Sequence, residues 1–204
     1  MRADFIAALI RLVCGAGVRW AGCAPDIRQR IYFANHTSHL DALLLWAVLP
    51  ASIRALARPV AAHDYWTATR LRQFLASRVF QAVLIERKKV TSGNNPVEKM
   101  IAGMGQQRSL IMFPEGGRNL SPELGPFKSG LYHLAKHRPD VELVPVWIDN
   151  LNRVLPKGEF LPVPMLSGVT FGEPLRLRED EGKTDFLERT RQAVLSLRTD
   201  ATAN

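Results

Sequence analysis

The chain has 204 residues, 47% of them hydrophobic and 23% charged, with no long low-complexity tract and no internal repeat. Those proportions suit one folded domain with a sizeable core and exclude an extensively disordered or fibrous chain. Charge is lopsided: residues 1–90 hold 13 Lys and Arg against 5 Asp and Glu, residues 91–204 hold 14 against 14, and the whole excess of +8 sits in the first part. Such asymmetry points to an anionic partner, either a membrane surface or a phosphorylated small molecule. Nucleic acid fits least, because the basic residues are scattered, without a Lys/Arg-dense run, an aromatic RNA-binding motif or a zinc-finger spacing.

Residues 1–24 are expected to form an amphipathic helix, with Phe5, Leu9, Leu12 and Ala16 on one stripe. Arg11 and Arg19 interrupt the uncharged span of about 20 residues that a bilayer crossing requires. The ordered charged, apolar and cleavage regions of a secretory signal are also missing. An interfacial helix whose arginines reach lipid headgroups and a helix docked on its own domain both fit this pattern. Cys14 and Cys23 lack a second pair, match neither a disulfide framework nor a zinc pattern, and read as small apolar side chains.

Residues 25–204 read as a single α/β domain in which strands and helices alternate. The expected strands are 30–35, 52–58, 80–86, 109–113, 142–148 and 168–172. Helices are expected at 39–49, 63–79, 96–107, about 127–137 and 184–198, and the polar stretch 87–96 is a loop. Runs such as AVLI (82–85) and SLIMF (109–113) are apolar at successive positions, as in strands covered on both faces. The fold class is therefore α/β, with a mixed, largely parallel sheet flanked by helices and an N-terminal amphipathic helical segment.

Three polar segments, NHTSHLD (35–41), ERKK (86–89) and FPEGGRN (113–119), each begin where an apolar strand ends, so one sheet edge can gather them. His36 and Asp41 lie five positions apart, which would not stack them on a regular helix. A tight turn at Thr37-Ser38 would fold the carboxylate back onto the imidazole, fixing its tautomer and leaving the other nitrogen to take a proton from an alcohol. SHLD also matches a helix capping box, with Ser38 as the cap and Asp41 three residues on, and the two roles are compatible. His36, His39 and Asp41 are a conceivable metal set, although no other His or Cys lies nearby in sequence to complete it. In the third segment the glycines allow close backbone approach, and Arg118 presents a fork of donors suited to phosphate. Arg87, beside Lys88 and Lys89, is a second such contact, and a plain turn and a solvated basic loop are the alternatives for these two segments.

Together these segments resemble the lysophospholipid and glycerol-phosphate acyltransferases, whose motifs run N-H-x4-D and F-P-E-G-[ST]-R-[ST]. AVLIER (82–87) matches the strand-ending second motif, LVPVWI (143–148) the Val-Pro strand, and GPFKSGLYHLA (125–135) the Phe-Lys-x-Gly segment. The similarity runs in the family's order over residues 30–175, with departures at Ala82, Gly117 and Asn119. The resemblance implies transfer of a fatty acyl group from a thioester, acyl-CoA or acyl carrier protein, to the free hydroxyl of a lysophospholipid such as 1-acylglycerol-3-phosphate. It implies His36 as general base, Asp41 as its orienting group, Arg87 and Arg118 as phosphate ligands, and Glu115, Gly116 and, more weakly, Lys128 in acceptor binding and site shape. Beyond the acyl-thioester cosubstrate no cofactor or metal is implied. The setting is phospholipid biosynthesis on the cytoplasmic face of a membrane, with the enzyme peripheral or monotopic. Two other functions share these residues: a non-catalytic lipid-binding protein, and a metal-dependent hydrolase built on His36, His39 and Asp41.

Overall fold

In the run Arg30–Ala34 every residue is buried, and its side chains alternate between two separate apolar clusters. Tyr32 and Ala34 face one and Ile31 and Phe33 the other, the period of two that a strand covered on both faces requires. In the computed structural model, which describes residues 2–86, 94–119, 121, 123–149 and 167–198, this strand lies at the centre of a seven-stranded sheet.

The strands are β1 (Ala16–Trp20), β2 (Arg30–Ala34), β3 (Ala57–Ala62), β4 (Val83–Ile85), β5 (Ser109–Met112), β6 (Glu142–Asp149) and β7 (Ser167–Phe171), in the order β1-β7-β6-β2-β5-β3-β4. All pairings are parallel except β6 with β7, so β1 and β7 run against the other five. One face carries α1 (Arg2–Val13), α2 (Asp41–Val48) and α3 (Ala51–Arg54). The other carries α6 (Pro96–Met104), α7 (Gly130–His137) and α8 (Lys183–Leu195). The α/β class with a mixed, mainly parallel sheet is the one the sequence predicts.

Four segments differ from the sequence expectation, each for a local reason. The N-terminal helix ends at Val13, where Gly15 takes φ 53°, and the chain continues into β1, which pairs with β7 at the sheet edge. Residues 51–54 form a helical turn, and the strand expected at 52–58 begins only at Ala57. Pro59 lies inside that strand, at the last pairing of β3 with β5, before Val60 begins the pairing with β4; the missing N–H thus falls at the changeover between neighbours. The single helix expected at 63–79 is split into α4 (His63–Trp66), α5 (Arg70–Phe74) and a π-helical turn (Leu75–Val79). Thr69 makes the break: it is extended, and its hydroxyl caps α5 by accepting from the Arg72 N–H. The chain leaves the π-turn through Gln81, at φ 47°, so β4 starts only at Val83.

Polar pins fix this frame. Arg30 is buried, with its guanidinium 3.1 Å from Glu142 and 3.7 Å from Asp26, and it also donates to the Ala24 carbonyl. Arg54 ties α1 down through Asp4 at 2.6 Å while donating to the Ala47 and Leu49 carbonyls. The inner side of α1, with Ala7 and Cys14 buried and Ile6 and Ile10 half-buried, packs on the core. Its outer side leaves Phe5, Leu9 and Leu12 at 71, 50 and 77% exposure, so three of the four residues of the expected stripe share one face, which points outward, while the fourth, Ala16, lies in β1 against the core. Among the described residues no helix is long and apolar enough to cross a membrane.

Replacing Arg30 with Ala removes the buried partner of Glu142, which keeps Arg28 at 3.3 Å and Arg176 at 3.8 Å, so the change is expected to cost about 1–2 kcal/mol, less than the loss of a fully buried pair. The midpoint of urea unfolding measures this; a shift worth under about 0.5 kcal/mol, the range of an ordinary surface substitution, would show that the pin carries no load.

Candidate active site

Where β2 ends, its ladder with β6 is continued by a side chain. Asn35, buried at 4% exposure, donates to the Ile148 carbonyl at 2.9 Å and accepts from the Ile148 N–H at 2.8 Å. This amide replaces one backbone pairing and frees the chain to turn at His36. Asn35 stands inside the NHTSHLD motif without an expected task, and an amide immediately after an apolar strand is the signal for this role.

The turn then closes on one oxygen. Asp41 Oδ2 accepts from the Thr37 N–H at 2.6 Å and the Ser38 N–H at 2.8 Å, and lies 2.8 Å from His36 Nδ1. Asp41 is fully buried, and its Oδ1 has no hydrogen-bond partner among the described residues. A carboxylate only accepts, so the contact assigns a proton to Nδ1, and in the neutral tautomer that this selects the lone pair lies on Nε2. The capping box is half formed. Asp41 reaches the Ser38 N–H as a box requires, but α2 starts at Asp41, Leu40 is the cap residue, and the Ser38 hydroxyl accepts from the Leu40 N–H instead.

The 113–119 loop grips His36 from three directions. The Glu115 carboxylate accepts from the His36 N–H at 2.9 Å, the Asn119 N–H donates to the His36 carbonyl at 2.7 Å, and the imidazole stacks on Phe113 at 4.3 Å between centroids. The other Glu115 oxygen accepts from the Gly125 N–H at 3.0 Å, so this carboxylate is spent on backbone groups of two loops. Gly116 has φ 72°, and a Cβ there would stand 2.7 Å from the Lys128 Cδ and Nζ, so the lysine side chain lies across the glycine. Asn119, where the family pattern has a hydroxyl, holds the loop's exit by donating to the Glu123 carbonyl and accepting from the Ser121 N–H.

His36 lines a cleft of about 600 Å³ at the carboxyl edge of β2, β3, β4 and β5. Val60, Ile85, Val97, Met100 and Met112 supply an apolar part; His36, His39, Gly116, Arg118, Lys128 and His133 supply a polar one. The first and third polar segments thus meet as their positions after strands suggested. From the second, Glu86 lines the cleft and faces His63 at 3.4 Å, whereas Arg87 lies outside the described residues. His39 is stacked on Tyr65 at 4.8 Å. Burial, then the charges of Arg118, His36 and Arg72, hold its imidazole below the usual histidine range, toward the neutral form. Among the described residues no three His, Cys, Asp or Glu side chains are grouped to hold a metal ion. Cys14 is no candidate nucleophile: burial, helped by the Asp41 charge, pushes its thiol up to about 11.

The acyltransferase family model matches residues 23–149. A 1-acyl-sn-glycerol-3-phosphate acyltransferase of Limnanthes douglasii is 27% identical over 171 residues, covering 78% of this chain and 56% of that protein. A human 1-acyl-sn-glycerol-3-phosphate acyltransferase alpha is 31% identical over 132 residues, covering 63% of this chain and 44% of that protein. The chain therefore spans about half the length of these relatives. The crystal structure of a 1-acyl-sn-glycerophosphate acyltransferase from Thermotoga maritima superposes with a TM-score of 0.75, at 18% identity, over 98% of this chain and 80% of that one, which establishes the shared fold. On the match over residues 23–149, the chain belongs to the acyltransferase family.

Proposed function

We propose that the protein transfers a fatty acyl group from an acyl thioester, on coenzyme A or acyl carrier protein, to the free hydroxyl of 1-acylglycerol-3-phosphate or a similar lysophospholipid. The observation that carries this reading is the His36–Asp41 contact of 2.8 Å, set in a cleft that is apolar on one side and bears Arg118 on the other. Such a cleft accepts an acyl chain and a phosphate together. The family match and the names of the relatives support it.

In the reaction as proposed, the acceptor hydroxyl is held near Nε2, which takes its proton as the oxygen attacks the thioester carbonyl. Asp41 Oδ2 keeps the Nδ1–H in place, and the uncompensated half of that buried carboxylate meets the positive charge that develops on the ring. The tetrahedral oxyanion then collapses, the C–S bond breaks, and the departing thiolate takes the proton back from the imidazolium. Atoms and charge balance with two substrates and two products. A thioester is already activated, so the work left to the protein is positioning, proton transfer and charge stabilisation.

The same reading puts the enzyme on a lipid surface. On α1, Phe5, Leu9 and Leu12 are exposed, and on α5 Leu71 and Phe74 are exposed at 68 and 49%. The two helices border one groove, lined by Ala3, Phe74, Arg78 and Val79. Arg11 on α1, Arg70 on α5 and Arg78 on the π-helical turn that follows it are exposed, and an apolar face accompanied by cations suits the boundary of an anionic bilayer.

His36→Ala should remove acyl transfer to below about one-hundredth of the wild-type rate with the circular dichroism spectrum unchanged. Product measured by mass for labelled thioesters and lysophospholipids tests this, and turnover within tenfold of wild type would eliminate His36 as the base. Phe5→Glu with Leu12→Glu should cut sedimentation with vesicles containing an anionic phospholipid at least tenfold; equal sedimentation of the double variant would remove α1 from the lipid contact.

A further inference from the structure

The last helix of the chain reaches the turn at His36 through a single peptide group. From α8, Arg191 extends to the segment 123–127, where its Nη2 donates to the Leu124 carbonyl at 2.8 Å and its Nε to the same oxygen at 3.2 Å. Nε also donates to the Gly125 carbonyl at 3.3 Å. The N–H on the other side of the Leu124–Gly125 peptide donates to Glu115 Oε2 at 3.0 Å. The remaining Glu115 oxygen holds the His36 N–H at 2.9 Å. A guanidinium, a peptide, a carboxylate and the backbone of residue 36 are thus joined end to end by hydrogen bonds.

The order of the charges gives this series a direction. A cation at the carbonyl end and an anion at the N–H end both align with the peptide dipole, so each bond polarises the next. Among the described residues no Lys, Arg or His side chain lies within ion-pair distance of Glu115, so Arg191 acts on that carboxylate through the peptide rather than by contact. The approach is close because residue 125 is a glycine: a Cβ there would stand 3.0 Å from Glu115 Oε2 and 3.2 Å from Asn119 Nδ2. Two contacts hold the segment on either side. Asn119 Nδ2 donates to the Glu123 carbonyl at 2.7 Å, and the buried Phe127 ring meets Phe33 of β2 edge-on at 6.2 Å. On α8, Phe186, Thr190 and Val194 are buried at a spacing of one helical turn, which gives the guanidinium a fixed base. Its Nη1 pairs with the exposed Glu188 at 3.3 Å, leaving Nε and Nη2 to the segment.

We propose that Arg191 is a positioning residue for His36: through the Leu124–Gly125 peptide it fixes the Glu115 carboxylate, and with it the backbone that carries the imidazole. The last helix lies beyond residues 23–149, so this part of the site comes from outside the stretch that the family model matches. That a loosened His36 slows acyl transfer rests on the acyl-transfer reading; the link itself rests on the hydrogen bonds. A misplacement of about 1 Å at a reacting group can cost roughly a hundredfold in rate, so a tie at this remove is expected to be worth about tenfold.

Steady-state kinetics of Arg191→Gln and Arg191→Lys test this. The glutamine removes the charge and should lower kcat about tenfold, with KM for both substrates within twofold of wild type because Arg191 does not line the cleft. The lysine returns a charged donor to the carbonyl and should bring kcat back to within threefold of wild type. A glutamine variant with kcat within twofold of wild type refutes the proposal, even if its urea unfolding midpoint falls, because Arg191 would then only stabilise the fold. A lysine variant as slow as the glutamine variant also refutes it, since the charge would then play no part. Proton–nitrogen NMR follows the route without turnover: the Gly125 and His36 amide protons should both move upfield in Arg191→Gln, and a His36 amide that stays in place refutes the relay. In wild type the Gly125 amide should exchange slowly with solvent, and free exchange there refutes the relay without any substitution, so a variant that failed to fold would not leave the question open. Failure of the acyl-transfer reading would appear separately, as absence of transfer by the wild-type protein.

Discussion

One carboxylate oxygen organises the centre of this molecule. Asp41 Oδ2 sits inside the fold, against two backbone N–H groups and the Nδ1 of His36, so the turn between β2 and α2 and the orientation of the imidazole are set by one acceptor. Burying such a charge is costly unless donors surround it, and here the donors come from the residues that the turn must position. The 113–119 loop completes the clasp by holding both backbone groups of His36 and stacking Phe113 on its ring. The imidazole is therefore over-determined: it cannot rotate without losing the Asp41 contact, and the chain cannot shift without losing Glu115 or Asn119.

The sheet makes that clasp possible. Because β2, β3, β4 and β5 are mutually parallel, segments far apart in sequence leave the sheet at one edge, and a cleft with an apolar and a cationic part forms between them. Part of the surplus of positive charge in residues 1–90 lies on the elements that carry exposed apolar side chains, or next to them: Arg11 on α1 with Phe5, Leu9 and Leu12, and Arg70, Arg72 and Arg78 on or next to α5 with Leu71 and Phe74.

Much of this was legible in the sequence because the relevant forces are local. The spacing of His36 and Asp41 demanded a turn at Thr37-Ser38, and the backbone N–H groups of that turn are the ones Asp41 holds. Apolar runs without alternation announced β4 and β5 as covered strands; β5 is buried throughout, whereas β4, at the sheet edge, leaves Leu84 and Ile85 only half-buried. What the sequence hid depends on partners distant in the chain. The edge strand β1 exists through its pairing with β7, about 150 residues away, and nothing within its five residues dictates it. Glu115 carries the family's signature for acceptor binding, yet its oxygens serve the His36 and Gly125 N–H groups. The break at Thr69 conflicted with a helical period that runs unbroken through the sequence, and it is that break which brings Arg72 over Tyr65.

The central claim is that His36 rests with its proton on Nδ1, facing Asp41, and with Nε2 open to the acceptor hydroxyl. Nitrogen NMR of the ¹⁵N-histidine-labelled protein, with residue 36 assigned by comparison with His36→Ala, observes this directly. The account predicts an Nδ1–H tautomer in the resting protein that is lost or mixed in Asp41→Asn. A resting Nε2–H tautomer, or a signal indifferent to the Asp41 substitution, would contradict it.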